Sequence, residues 1–332
     1  MGEVDRRNFL TGAGLAGAAA VASDEASAGI AREPRERLPQ AVGMLYDSTL
    51  CIGCKACVAA CKAANEMPVE LPPTLTAWNE STWDSAEDLS GRTISIIKLY
   101  RNGTAEQKDR ETDGFAFVKR HCLHCVDPSC VSVCPVAAMR KDPVSGVVTY
   151  DADACIGCRY CVYACPFGVP QYDFNNPFGK INKCQFCNHL QKQGKIPACC
   201  DVCPTGAALF GKVTDLSQEI ERRVAAAPGT PYDFPRGRLG DDRPPNPAKI
   251  PTYVKGVYGE REVGGTQVRY LAGVPFEKLG LKPLPSESPA SLSEGLQHTI
   301  YKWMIAPIVG FAGLVWLVRR RTDRDHDDAS NT

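Results

Sequence analysis

No excess of charge of either sign marks this chain: 38 lysines and arginines balance 38 aspartates and glutamates over 332 residues. Nucleic-acid binding leaves a surplus of positive charge, so the missing basic footprint excludes nucleic acid as a partner. Phosphate-cradling motifs for nucleotide cofactors are missing too. Gly12, Gly14 and Gly17 have the Gly-x-Gly-x2-Gly spacing, but no strand precedes them and they fall in an apolar run near the N-terminus, so the match is spurious. No nucleophile stands with a base in a recognisable arrangement, and a substrate-transforming site is therefore not expected.

Cysteine, by contrast, is abundant. Seventeen cysteines could mean a disulfide framework, structural zinc or iron-sulfur clusters, and spacing must decide. Sixteen of them fall into four runs: Cys51-x2-Cys54-x2-Cys57-x3-Cys61, Cys122-x2-Cys125-x4-Cys130-x3-Cys134-Pro, Cys155-x2-Cys158-x2-Cys161-x3-Cys165-Pro and Cys184-x2-Cys187-x11-Cys199-x3-Cys203-Pro. The first and third have the bacterial ferredoxin spacing, in which three thiolates on one loop hold one 4Fe-4S cube and the fourth reaches a neighbouring cube. Gly53 and Gly157 can take backbone conformations closed to other residues and let the loop wrap the cube, while Ile52 and Ile156 are expected to shield it from water. Zinc competes for Cys-x2-Cys pairs but seldom uses the compact four-cysteine run with a terminal Cys-Pro. Disulfides between cysteines this close along a loop would be strained. His121 and His124 flank the second run and His189 follows the fourth; with four cysteines available per site, they read as tuning neighbours and not as Rieske-type ligands. Cys199 and Cys200 compete for one ligand position, and the x3 spacing to Cys203 favours Cys199.

Residues 46–61 and 150–165 are identical at ten of sixteen positions, so one supersecondary unit has been used at least twice. Each copy opens on a strand-like piece (43–46, 147–150), passes through a cysteine loop and enters a helix-like stretch around its last cysteine. The other two runs lead from Cys-Pro into a turn and a strand-like piece. Four half-units make two ferredoxin-like dicluster modules of the α+β class over 43–213. A polar insertion at 62–121, containing Trp78 and Trp83, carries no motif. Beyond it, the extension over 214–299 holds a Pro/Gly/Arg-rich segment and a strand-like stretch at 266–271. It is expected to serve as a strap or docking surface, ending in a linker at 283–293.

The two ends point to an exported, anchored protein. Arg6 and Arg7, the apolar run 11–22 and Ala26-Ser27-Ala28 resemble a twin-arginine export signal over 1–28. That translocase carries folded proteins, so clusters built in the cytoplasm would survive a crossing that exposes unfolded thiols to oxidation. Residues 300–318 are apolar except for Lys302 and would span about 28 Å as a helix, enough to cross a bilayer. Tyr301, Trp303 and Trp316 stand where interfacial aromatics belong, and Arg319, Arg320 and Arg321 would keep the tail 319–332 in the cytoplasm. The body would then lie on the periplasmic side of the inner membrane, held by one C-terminal transmembrane helix.

With these four runs the chain resembles the four-cluster ferredoxin-like subunits of exported respiratory oxidoreductases over about 43–213. The stretch 43–51, His124-Cys125-Val126-Asp127-Pro128, Asn175-Asn176-Pro177-Phe178-Gly179, Gly264-Gly265-Thr266-Gln267-Val268 and the two ends are similar, more specifically, to iron-sulfur subunits of membrane-bound nickel-iron hydrogenases of the hydrogenase 2 type. The resemblance implies four 4Fe-4S clusters, the first run pairing with the fourth and the second with the third. The implied sets are Cys51, Cys54, Cys57 with Cys203; Cys184, Cys187, Cys199 with Cys61; Cys122, Cys125, Cys130 with Cys165; and Cys155, Cys158, Cys161 with Cys134. It further implies a non-catalytic relay between hydrogenase large and small subunits and an integral membrane quinone-reactive subunit. The same relay serving a formate, nitrite, polysulfide or sulfoxide oxidoreductase is the alternative.

Overall fold

The computed structural model describes residues 31–68, 88–174, 176, 179–304, 307–316 and 319. The export signal with Arg6 and Arg7, Trp78 and Trp83, Asn175, Pro177, Phe178, and residues 320–332 lie outside them.

Alternation along the first strand, β1 (Val42–Asp47), sends Met44 and Tyr46 into one apolar cluster and Leu45 into another, all three buried. The first cysteine loop then leads into helix α1 (Ala56–Ala64). Strands β2 (Ile96–Arg101), β3 (Gln107–Lys108) and β4 (Gly114–Arg120) follow, in the sheet order β2-β4-β3. They show that the 62–121 insertion contains a built sheet, with Ile97 opposite Lys119 and Leu99 opposite Phe117.

One module is continuous: helix α2 (Ser129–Ser132), the antiparallel pair β5 (Met139–Lys141) and β6 (Val148–Tyr150), and helix α3 (Tyr160–Ala164). A short pair, β7 (Gln171–Tyr172) and β8 (Ile181–Asn182), closes it. The fourth run passes helices α4 (Asn188–Gln191) and α5 (Ala198–Asp201) and ends in β9 (Ala208–Lys212). Strand β9 pairs antiparallel with β1, so the first and fourth runs share the other module. Both modules use one register. Tyr46 faces Ala208 and Tyr150 faces Met139, at matching offsets from Cys203 and Cys134.

Helix α6 (Val213–Ala225) covers the outer face of β1, where Leu45, Leu209, Leu216, Ile220 and Leu271 form a buried cluster. The hairpin β10 (Pro231–Phe234) and β11 (Asn246–Lys249) follows, and then β12 (Val268–Leu271), which adds to β1 in parallel. The extension is therefore part of the core and more than a docking surface. Gln267 donates its backbone N–H to Leu123 and His124, at 3.1 Å each, and its side-chain amide to Val42 and Ser145.

Residues 34–288 form one compact unit; the described residues of 31–33 and those from Pro289 onward belong to a second. Helix α7 (Pro289–Trp303) opens the latter, well inside the 283–293 segment expected as linker. The candidate membrane span runs over 28 residues, Pro289–Trp316, about 42 Å at the helical rise, and its most apolar window is not buried in the protein. Pro at the first helical position is the favoured start.

Candidate functional site

Each cysteine loop has a residue with left-handed backbone immediately before its second cysteine: Gly53 (φ 71), His124 (φ 50), Gly157 (φ 70) and Phe186 (φ 57). Two are glycines, for which this conformation carries no penalty, and two are buried non-glycine residues held there by packing. His124 and Phe186 lie against one another with ring centroids 4.8 Å apart, which joins the second run to the fourth. The turn aims backbone N–H groups at sulfur: Gly157 and Phe186 each donate to the cysteine two residues back, Cys155 and Cys184, at 3.4 Å. At Gly53 a side chain would strike the Phe117 ring at 2.4 Å, so β4 from the insertion forms a wall of this loop.

The folded chain gathers the cysteines across the sequence. Cys51, Cys54, Cys57 and Cys203 ring one cavity; Cys61, Cys184, Cys187 and Cys199 ring a second; Cys134, Cys155, Cys158 and Cys161 ring a third. Cys122, Cys125, Cys130 and Cys165 form the remaining group: burial and then Cys165, Cys122 and Cys130 raise the Cys125 thiol, and burial and then Cys122 and Cys165 raise that of Cys130. These are the four sets implied by the run pairing. All seventeen cysteines are free of disulfides. Among the described residues no three His, Cys, Asp or Glu groups converge tightly enough for a single metal ion. Four thiols that surround a space fit a 4Fe-4S cube.

Burial pushes the Cys57 and Cys161 thiols up to about 11, Cys61 and Cys130 to about 12, and Cys125 and Cys184 well above the ordinary value. Thiolates in these cages need positive charge supplied from inside, which iron provides. Loading iron at neutral pH must therefore release thiol protons. Chemical reconstitution of the cluster-free chain is expected to slow and lose yield as pH falls from about 9 to about 7, followed by visible absorbance. A rate that rises on acidification would contradict protonated cages.

Cys199 lines its cavity, whereas Cys200 is fully buried in the apolar core and donates to Cys199. That hydrogen bond holds Cys199 below the usual thiol range; burial holds Cys200 above it. His121 and His124 are buried beside the cages. The His121 ring meets the Cys122 carbonyl at 2.8 Å through Nδ1, and His124 Nδ1 accepts the Val148 N–H at 3.0 Å. Burial keeps both neutral, His121 at about 3 and His124 well below its ordinary value. His189 is exposed. Ile52 and Ile156 stand at the cavity rims but are 57% and 65% exposed, so they do not seal the cages within this chain as expected.

Electrostatic coupling orders the cages as a line: beyond the effect of burial, charge on Cys199 raises the Cys57 thiol, charge on Cys122 raises that of Cys184, and charge on Cys161 raises that of Cys130. The outer cages each have an exposed cysteine, Cys54 or Cys158; the two inner ones have none. Sequence reasoning missed Lys119, a lysine with no exposed surface that lines the Cys61 cavity among Cys57, Cys61, Cys184 and Cys199. It lies in the motif-free insertion, and only the short apolar run 115–118 marks its strand.

Comparison with known proteins gives two matches to the 4Fe-4S dicluster domain, over residues 43–135 and 114–213. Hydrogenase-2 operon protein HybA of Escherichia coli O157:H7 is 45% identical over 335 residues, 99% of either chain. The chain belongs to the HybA family of 4Fe-4S dicluster proteins. It is also 30% identical to the iron-sulfur subunit of the nitrate-inducible formate dehydrogenase of E. coli K12, over 83% of both chains. Protein NrfC of the same strain is 34% identical over 70% of this chain and 91% of its own. As a HybA-family member the chain is an electron-transfer protein with four 4Fe-4S clusters, and its cages fit that number.

Proposed function

We propose that this chain is the non-catalytic relay between a periplasmic nickel-iron hydrogenase and the membrane quinone pool, passing electrons to an integral membrane quinone-reactive subunit. The observation that carries this reading is the near full-length identity to Hydrogenase-2 operon protein HybA, which takes in the tail helix as well as the cysteine runs. The ligands are the sixteen cysteines in the four sets above, with Cys199 the ligand and Cys200 the spare thiol. Arg6 and Arg7 direct the folded chain through the twin-arginine translocase, and the helix beginning at Pro289 anchors it on the periplasmic side.

Bound 4Fe-4S cubes supply one-electron chemistry without bond making. The protein's own residues fix spacing, exclude water from the inner cages and set potentials through N–H groups and buried charge. Two cages with exposed cysteines suit a wire that is loaded at one end and emptied at the other.

Native complex purified from membranes through this chain is expected to contain nickel together with at least four clusters' worth of iron and sulfide per copy of this chain. Those clusters with molybdenum or haem in place of nickel would transfer the relay to a formate or nitrite enzyme. Zinc in place of iron would end the redox reading.

A further inference from the structure

Three lysines are drawn in among the cysteine cages, and they are satisfied differently. Lys183 donates to the carbonyls of Val148 and Cys184 at 2.5 and 3.0 Å, and Lys141 donates to those of Cys125 and Gly146 at 2.9 and 3.0 Å. Among the described residues the Lys119 ammonium has a single hydrogen bond, to the Ser95 hydroxyl. Its side chain has no exposed surface, and among the described residues no carboxylate pairs with it. An ammonium cut off from water and from any counter-charge is one of the costliest arrangements in a folded protein. Its neighbours supply the answer. Lys119 lines the cavity ringed by Cys61, Cys184, Cys187 and Cys199, and the groups whose negative charge acts on it are Cys57, Cys199, Cys61 and Cys184.

We propose that Lys119 is the built-in counter-ion of the cluster held by Cys61, Cys184, Cys187 and Cys199, placed to raise that cluster's reduction potential above what four thiolates alone would give. A cube with four thiolates is anionic and gains a further negative charge on reduction. A fixed cation against it stabilises the reduced form more than the oxidised one, and a buried site leaves that interaction little screened. Cys57 belongs to the neighbouring outer cage, so the same ammonium stands at the junction where an electron passes from outer to inner cage. Ser95 is a positioning residue that holds it there. The inference rests on the cluster and not on the identity of the hydrogenase partner.

The test is an EPR-monitored redox titration of the purified full-length complex carrying Lys119→Met or Lys119→Gln, with iron and sulfide counted on the same samples. With all four clusters present, one midpoint is expected to fall so that the reduction equilibrium of that cluster changes at least tenfold, about 59 mV for one electron. Lys119→Arg, which keeps the charge, is expected to hold that midpoint near the parent value. Full loading with unchanged midpoints in the Met and Gln forms would overturn the proposal. If the neutral forms lose a cluster while the Arg form keeps it, the requirement is for charge and the proposal stands. Equal loss in all three would show that Lys119 only fills space, and the proposal would fall. A nickel-free complex with the shifted midpoint would leave this inference intact and remove only the hydrogenase reading.

Discussion

Cys184→Ser is expected to leave the chain with three clusters and to reduce hydrogen-dependent quinone reduction to the level of cells lacking the chain. Cys184 is buried in an inner cage, and charge on Cys122 of the next cage raises its thiol further than burial alone does. Removing its thiolate therefore opens the middle of the line, and no exposed neighbour stands in for the missing centre. Cys200→Ala is the matched comparison. It deletes a thiol with no exposed surface one residue from Cys199, at a cost of about 1 kcal/mol in stability, yet the cluster count is expected to stay at four. Iron, sulfide and EPR on the two variants decide the ligand assignment. Four clusters in Cys184→Ser, or three in Cys200→Ala, would contradict it.

The repeat made much of this legible. Two copies of one cysteine loop specify equivalent strands, glycines and helices, and β1 and β6 appear close to where the alternation of apolar residues places them. Local signals did not reveal what arrives from far along the chain. Lys119, Phe117 and Ser95 reach the cages because β4 pairs with β2 in one register, and no turn motif announces that insertion as a wall of the site. Strand β12 joins β1 in parallel from more than two hundred residues away, a pairing with no sequence signature of its own. Phe186 and His124 adopt left-handed backbone that their side chains disfavour, so only packing could show that four loops share one turn. The start of α7 was readable, since Ser288 followed by Pro289 is a helix-initiation pattern; the Pro/Ser composition concealed it as a linker.

Arg223→Ala is expected to destabilise the compact unit by about 3–5 kcal/mol and to shed the cluster nearest Cys51 first. Arg223 has no exposed surface and bridges two buried carboxylates, with Nη1 to Asp47 at 3.1 Å and Nε to Glu219 at 2.8 Å. Tyr253 donates to Asp47 at 2.7 Å, Tyr232 donates to Glu219 at 3.0 Å, and the guanidinium lies 4.9 Å from the Phe234 ring centroid. Among the described residues, alanine would leave the Asp47 carboxylate in the interior with no cation and Glu219 with only the largely exposed Arg222, 2.8 Å away. Asp47 ends β1 and accepts the Thr49 N–H at 3.1 Å, so its displacement reaches the loop of Cys51 directly. The repeat supplies an internal comparison: Asp151, at the equivalent position, is exposed and caps its own turn by accepting the Asp153 N–H at 3.0 Å. The Cys155 loop should accordingly keep its cluster when Arg223 is lost. Chemical unfolding followed together with cluster EPR separates the two ends. A triple change, Arg223→Met with Asp47→Asn and Glu219→Gln, is expected to regain most of the stability, because the cost lies in the stranded charges and much less in the lost contact area. If the triple variant were as unstable as Arg223→Ala, packing around the guanidinium, and not its charge, would be what secures the first loop.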